Sequence, residues 1–291
     1  MNVSWPVENL TNKQLIAIPL IAAAFFAAAI VVKGVPIGME FSGGTYIEIS
    51  NIKNIPSSTS DVEHYLEDTF GGEVKVYQTG DNQLEIETSL VLEEEDQNEL
   101  QTGLNNEFGI SGDYSIPRQM ESGITSLYRH QAQLAVIAAA IIMGVILFLA
   151  FRGLTIALSI LSIIGLDALG IFGCMTLLEI PLSLTSMAGI LLIFGYAVNT
   201  NVLLSTRVLK RFGGTVRERA ADAMRTGVAM SATSATALIA LNIVATPSAL
   251  KQLSAVIVIG ILVDMMNTWF LNSGIIMRHA KGKKEGYHGR I

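Results

Sequence analysis

The chain has 291 residues, of which 51% are hydrophobic and only 15% charged, and its mean hydropathy is +0.48. A soluble domain carries about 25% charged residues, so a single water-soluble globule is excluded. The net charge of −6 excludes a basic nucleic-acid binder, and the lone Cys174 excludes both a disulfide framework and a thiolate metal cluster.

A helical crossing of a bilayer needs roughly 20 apolar residues. The first such run is Gln14–Val32. It is long for a signal peptide and has no clean small-residue cleavage site before Lys33, so it reads as a retained span. Next comes Gly38-Met39-Glu40-Phe41-Ser42-Gly43-Gly44-Thr45, which opens a polar segment of nearly a hundred residues. Tyr46-Ile47-Glu48-Ile49 alternates as a half-buried strand does. Ser57–Phe70 follows Pro56 and places Val62, Tyr65, Leu66 and Phe70 on one helical face. Glu73–Thr79 alternates again, Gly80-Asp81-Asn82 is a turn, and Leu84–Glu87 is a third strand. Glu93–Phe108 predicts a charged helix with Leu100, Leu104 and Phe108 four apart, and Asp113–Pro117 a weak fourth strand. The order β-α-β-β-α-β is the ferredoxin-like arrangement.

Five further apolar runs follow: Leu134–Phe151, Leu154–Leu178, Leu182–Leu204, Val228–Ala245 and Leu253–Met277. The expected fold is therefore a polytopic α-helical membrane protein. Six spans carry an α+β ferredoxin-like extracytoplasmic domain between the first and second. The expected division is 1–33 for the N-terminus and first span, 34–131 for the outer domain, 132–277 for spans two to six, and 278–291 for a basic tail.

Positive charge sets the orientation. Residues 34–131 hold four Lys/Arg against eighteen Asp/Glu, a net −14, and the remainder is net +8. The basic groups gather after span four (Arg207, Lys210, Arg211, Arg217, Arg219, Arg225) and in the tail (Arg278, Lys281, Lys283, Lys284, Arg290). Both termini are thus expected in the cytoplasm of a cell-membrane protein, with the acidic domain outside. The basic tail reads as a topology determinant near anionic lipid, not as a nucleic-acid contact.

No catalytic constellation appears. His64 has no thiol or second imidazole near it in sequence, the acid run Glu93-Glu94-Glu95-Asp96 suits a helix N-terminus, and Gly213-Gly214-Thr215 lacks the lysine of a phosphate loop. An enzyme, a cofactor and a metal site are not expected. The polar residues inside the spans carry more information. Asp167 lies thirteen residues into span three, ~20 Å along the helix. An ionisable group there costs at least ~2.5 kcal/mol and marks a functional site by default. The expected state is protonated or paired with a cation. A neutral Asp bonded to a neighbouring helix is the structural alternative. Asp264 is the second acid, with Asn267, Thr268 and Asn272 forming a polar stripe near helical spacing on span six. Span four adds Asn199, Thr200, Asn201 and Ser205. Span five opens with Ser231-Ala232-Thr233-Ser234-Ala235-Thr236, suited to close helix packing. Arg207 ends span four. It reads either as a snorkelling anchor or as a counter-charge for Asp167.

These residues carry a resemblance. The octapeptide is similar to the Gly-x-Asp/Glu-Phe-x-Gly-Gly-Thr motif of the SecD/SecF protein-export family, in the RND superfamily. Asp167 resembles that family's span-three aspartate. Gly195-Tyr196-Ala197-Val198-Asn199, followed by Arg207, resembles its Gly-Tyr-Ser-x-Asn and basic residue at the span-four exit. Thr200 and Thr206 replace acids usual in the family. The short outer segment favours the SecF branch, and the divergence has an archaeal flavour. The resemblance implies a SecD-like membrane partner, the Sec translocon channel, a translocating preprotein and an ion gradient as energy source. It also implies Asp167 as the ion-bearing group, with Arg207, Asn199 and Asp264 around it. Gly38, Glu40, Phe41, Gly43, Gly44 and Thr45 would form a hinge. Two other readings remain: an RND-like exporter half for lipids or small molecules, and a structural subunit with no ion coupling.

Overall fold

The computed structural model describes residues 3–54, 56, 58–78, 82–120, 122–210, 213–245 and 247–288, with side chains left aside at 39, 120, 122–124, 155 and 281–288. Ser57, Thr79, the Gly80-Asp81 part of the expected turn, Arg211 and Arg290 lie outside the described residues, as do the side chains of Lys281, Lys283 and Lys284. The chain divides into two compact units. One is Ile37–Leu134 with Leu182–Leu184. The other is Met1–Pro36, Ala135–Pro181 and Thr185–Ile291.

The smaller unit opens with the helical turn α3 (Met39–Ser42). It continues as β1 (Gly44–Ser50), α4 (Thr59–Phe70), β2 (Val74–Gln78), β3 (Leu84–Thr88), α5 (Glu94–Phe108), β4 (Asp113–Tyr114) and β5 (Arg118–Met120). The sheet order is β2-β3-β1-β4, with β5 also on β1, and every pairing is antiparallel. This is the ferredoxin-like topology. The register sets Ile47 opposite Ile86 and Ile86 opposite Val76. One sheet face is therefore apolar and is covered by Val62 and Leu66 of α4 and Leu100 and Leu104 of α5. Ser58 caps α4 through its hydroxyl. Asp96 accepts from the Glu93 N–H at 2.9 Å, so the acid run serves to start α5. The fourth strand departs from expectation. It is split, because Pro117 has no N–H to give the ladder. Ser115 spans part of the gap instead: its N–H donates to Glu48 O and its hydroxyl accepts from Glu48 N–H. The strand then resumes at Arg118.

The larger unit holds the short α1 (Trp5–Asn9) and α2 (Asn12–Lys33). With α6 (Ser122–Phe151), which starts in the smaller unit, it also has α7 (Leu154–Leu177), α8 (Leu184–Lys210) and α9 (Val216–Val244). The last membrane helix runs over Ser248–Ala280. It is built from α10 (Ser248–Met266), a π-helical turn (Asn267–Asn272) and α11 (Ser273–His288). Six helices among the described residues are long and apolar enough to cross a membrane. Spans four and five outrun the apolar runs that predict them. For α9 the reason is local: Thr215 and Glu218 form a capping box well ahead of Val228.

In this unit α2 packs on α7 and on the π turn, while α10 lies against both α7 and α9. Small residues allow the close approaches. A Cβ on Gly260 of α10 would meet Ile193 of α8 at 2.6 Å, and one on Gly227 of α9 would run into the Trp269 ring. α1 is fixed to α9 by polar contacts. Arg217 donates to Glu8 O at 2.6 Å and Leu10 O at 2.9 Å, and Arg225 donates to the Ser4 hydroxyl and Glu8 carboxylate, both at 3.0 Å.

Candidate functional site

Apolar spans leave few places for a charge, and the two acids within them meet at one place. Asp167 on α7 and Asp264 on α10 are both fully buried, close enough for the field of one to act on the other. Asp167 Oδ1 accepts from Asn267 Nδ2 at 2.8 Å, while its Oδ2 is buried with no partner among the described residues. As a carboxylate it would be a buried charge on one amide. As an acid it would have one unbonded hydroxyl. Neither state is fully satisfied, so neither is locked.

Asp264 is gripped from both sides. Thr268 Oγ1 lies 2.8 Å from its Oδ1, and Thr200 Oγ1 lies 2.8 Å from its Oδ2. The Thr200 hydroxyl is also 2.9 Å from Ala197 O. A hydroxyl has one proton to give. With Asp264 ionised, Thr200 donates to it. With Asp264 protonated on Oδ2, the acid donates to Thr200 and Thr200 turns to Ala197 O. Both arrangements complete the hydrogen bonding. Between spans six and four the Asn272 amide also donates to Asn201 Oδ1, and Asn201 Nδ2 donates to Ala197 O at 2.7 Å. Spans three, four and six thus share one buried polar seam.

The π turn builds that seam. A π turn fits about one residue more per turn than an α-helix. It brings Asn267, Thr268 and Asn272 into a narrower arc than α-helical spacing would, in a turn whose Trp269 and Leu271 are buried as well. The near-helical spacing expected for this stripe holds between Asp264 and Thr268, and gives way to a π-helical turn over Asn267–Asn272.

Other expected site residues lie elsewhere. Asn199 is exposed on α8, and its neighbours Thr200 and Asn201 occupy the seam. Arg207 pairs with Asp222 at the start of α9, N–O 3.6 Å, and not with Asp167. Nothing in the sequence spacing links Asp222 to Arg207. Of the Ser231–Thr236 cluster, Ser231 is the buried member, accepting from the Tyr196 hydroxyl at 3.0 Å. Thr233 and Thr236 are exposed and donate to carbonyls four residues back.

The octapeptide forms a separate structural site in the smaller unit. Gly38 N–H donates to Leu182 O at 2.9 Å, and Ile37 pairs with Leu182. α3 ends at Gly43 and Gly44, whose φ values of 86° and 121° suit glycine alone. A Cβ on Gly44 would run into the Thr88 carbonyl. Phe41 is buried, and its carbonyl accepts from Arg129, a partner with no signature in the sequence. Thr45 is buried, donates to Leu90 O at 2.8 Å and accepts from Leu92 N–H at 3.0 Å. Glu40 has one buried oxygen without a partner among the described residues. Burial raises its pKa above the usual carboxylate value, partly offset by a backbone hydrogen bond and by Arg118.

Fold and seam together define a six-span membrane protein with a ferredoxin-like domain inserted after its first span and two facing acids in its interior. Residues 117–282 match the family described as protein export membrane protein SecD/SecF, C-terminal. The chain is 31% identical over 272 residues to the protein-export membrane protein SecF of Methanothermobacter thermautotrophicus, covering 91% of each. It is 27% identical to that of Methanopyrus kandleri, covering 95% of this chain and 97% of that one. In fold it is similar to the crystal structure of SecDF, a translocon-associated membrane protein, from Thermus thermophilus. There the TM-score is 0.76 at 21% identity, over 96% of this chain and 38% of that one. A super-membrane-facing form of SecDF gives a TM-score of 0.60. The chain spans well under half the length of those solved proteins. It belongs to the SecD/SecF family of protein-export membrane proteins.

Proposed function

We propose that this chain is the SecF-type subunit of a SecD–SecF assembly. It promotes protein translocation through the Sec channel, driven by a transmembrane cation gradient and without covalent chemistry of its own. The partner is a SecD-like membrane protein, which supplies the remainder of a SecDF-type structure, and the substrate is the translocating preprotein. Both termini lie in the cytoplasm of the cell membrane and the ferredoxin-like domain lies outside, in keeping with the charge asymmetry.

The observation that carries the coupling is the half-satisfied carboxyl of Asp167 facing Asp264. Membrane interiors hold such groups on ion pathways. Asp167 binds and releases the cation, Asp264 is the second acid of the site, and Arg207 with Asp222 anchors the cytoplasmic exit. Asp167→Asn keeps the size and the hydrogen-bond acceptor but cannot ionise. Gradient-stimulated export, measured with a preprotein in proteoliposomes containing the complete assembly, falls to the level of the deletion. Normal export by Asp167→Asn across a range of gradients rules coupling at this residue out.

A further inference from the structure

We infer that Asn267 is a positioning residue that passes the charge state of Asp167 to span six through the π turn it opens. This rests on the reading of Asp167 as the cation-bearing group. A π turn is a less favourable helix than its α-helical flanks and is common at functional sites. Four tethers hold this one in place. Asn267 donates to Asp167 on span three, Thr268 contacts Asp264 on its own span, Asn272 donates to Asn201 on span four, and Trp269 fills the space above Gly227 on span five.

The tethers differ in what they end on. Asn201 and Gly227 carry no ionisable group. Asp264 keeps a complete set of hydrogen bonds in either protonation state, because the Thr200 hydroxyl can turn. Asp167 has no such reserve. Its one protein partner among the described residues is the Asn267 amide. An N–H···O bond to an ionised carboxylate is roughly twice as strong as one to a neutral acid. A proton on Asp167 neutralises the acceptor and a bound metal cation offsets its charge, so either one loosens this tether and leaves the other three. The charged group that acts on Asp167 is Asp264 of α10. On α8, Arg207 is paired with Asp222 of α9.

The turn contains its own reporter. The chain has two tryptophans, Trp5 and Trp269, and Trp269 is buried within the π turn. With Trp5→Phe, the remaining emission comes from Trp269. The full chain in lipid nanodiscs is titrated from acid to alkaline pH, then with Na⁺ at fixed pH. The expected result is a sigmoidal shift of Trp269 emission in at least one titration. It is abolished by Asp167→Asn and by Asn267→Leu, and displaced in midpoint but retained by Asn267→Gln. The Gln variant keeps the amide, so it separates loss of the bond from loss of the fold. A wild-type response that survives Asn267→Leu but not Asp167→Asn overturns the relay and leaves the role of Asp167 standing. A response that survives Asp167→Asn overturns the reading of Asp167 itself. No response to either ion overturns the relay.

Discussion

Gly44 shows how one residue can be fixed by backbone alone. Its φ of 121° and the Thr88 carbonyl behind it leave no room for a methyl group. Gly44→Ala is expected to destabilise the smaller unit by about 2 kcal/mol or more, read as a lowered unfolding transition of that unit in the full chain. Glu40 gives a pH-dependent counterpart. Its folded-state pKa is raised, so between the unfolded value near 4.5 and the folded value the folded chain holds more protons. Its contribution to stability is therefore full below that window and lost as pH rises through it. Glu40→Gln should flatten the fall in melting temperature above pH 4.5, whereas an unchanged pH profile would rule this carboxyl out as its source. At this scale the sequence was informative where chemistry was out of place: an acid in hydrocarbon announces itself, as Asp167 and Asp264 do. Neighbour identity was less legible. Consecutive helical residues point about 100° apart, and that one step separates exposed Asn199 from buried Thr200.

Elements were readable where period and cap agreed. α4 and α5 combine a capping residue with apolar positions three and four apart, and both formed as expected. Leu104 is the deepest point of α5 against the sheet. Leu104→Ala should remove about 2–5 kcal/mol, seen as a lower denaturation midpoint for the smaller unit with no change in the spans. The fourth strand was only partly readable, because Pro117 signals an interruption but not that the ladder resumes beyond it. The π turn had no sequence signal of its own. Apolar and polar spacing is interpreted on an α-helical period, and a local change of period is invisible until the partners on other helices are known. The capping box of α9 was missed for a different reason: it lies in a basic, polar stretch ahead of the apolar run, where hydropathy gives no helix.

For the whole molecule, composition was decisive. Charge segregation divides the chain into a strongly acidic segment and a basic remainder, and the proposed orientation follows from it. In a Cys174→Ala background, a cysteine at exposed Asn105 should react with a membrane-impermeant maleimide on intact cells, while one at exposed Lys210 should react only after lysis. The opposite labelling pattern would invert the proposed topology. Assembly is less legible, since no spacing rule joins Asp167 to Asn267 a hundred positions later. The bend in helical period at Asn267–Asn272 also bears on how this chain tolerates change. A single residue removed there would let the segment return to an α-helix while α10 and α11 keep their mutual orientation. The same deletion at Gly260 would swing everything after it by about 100°. Span six thus carries what amounts to one inserted residue. Its loss should yield a protein that still folds in the membrane but has given up the π turn that Asn267 opens, a natural way for a lineage to shed coupling without shedding the fold.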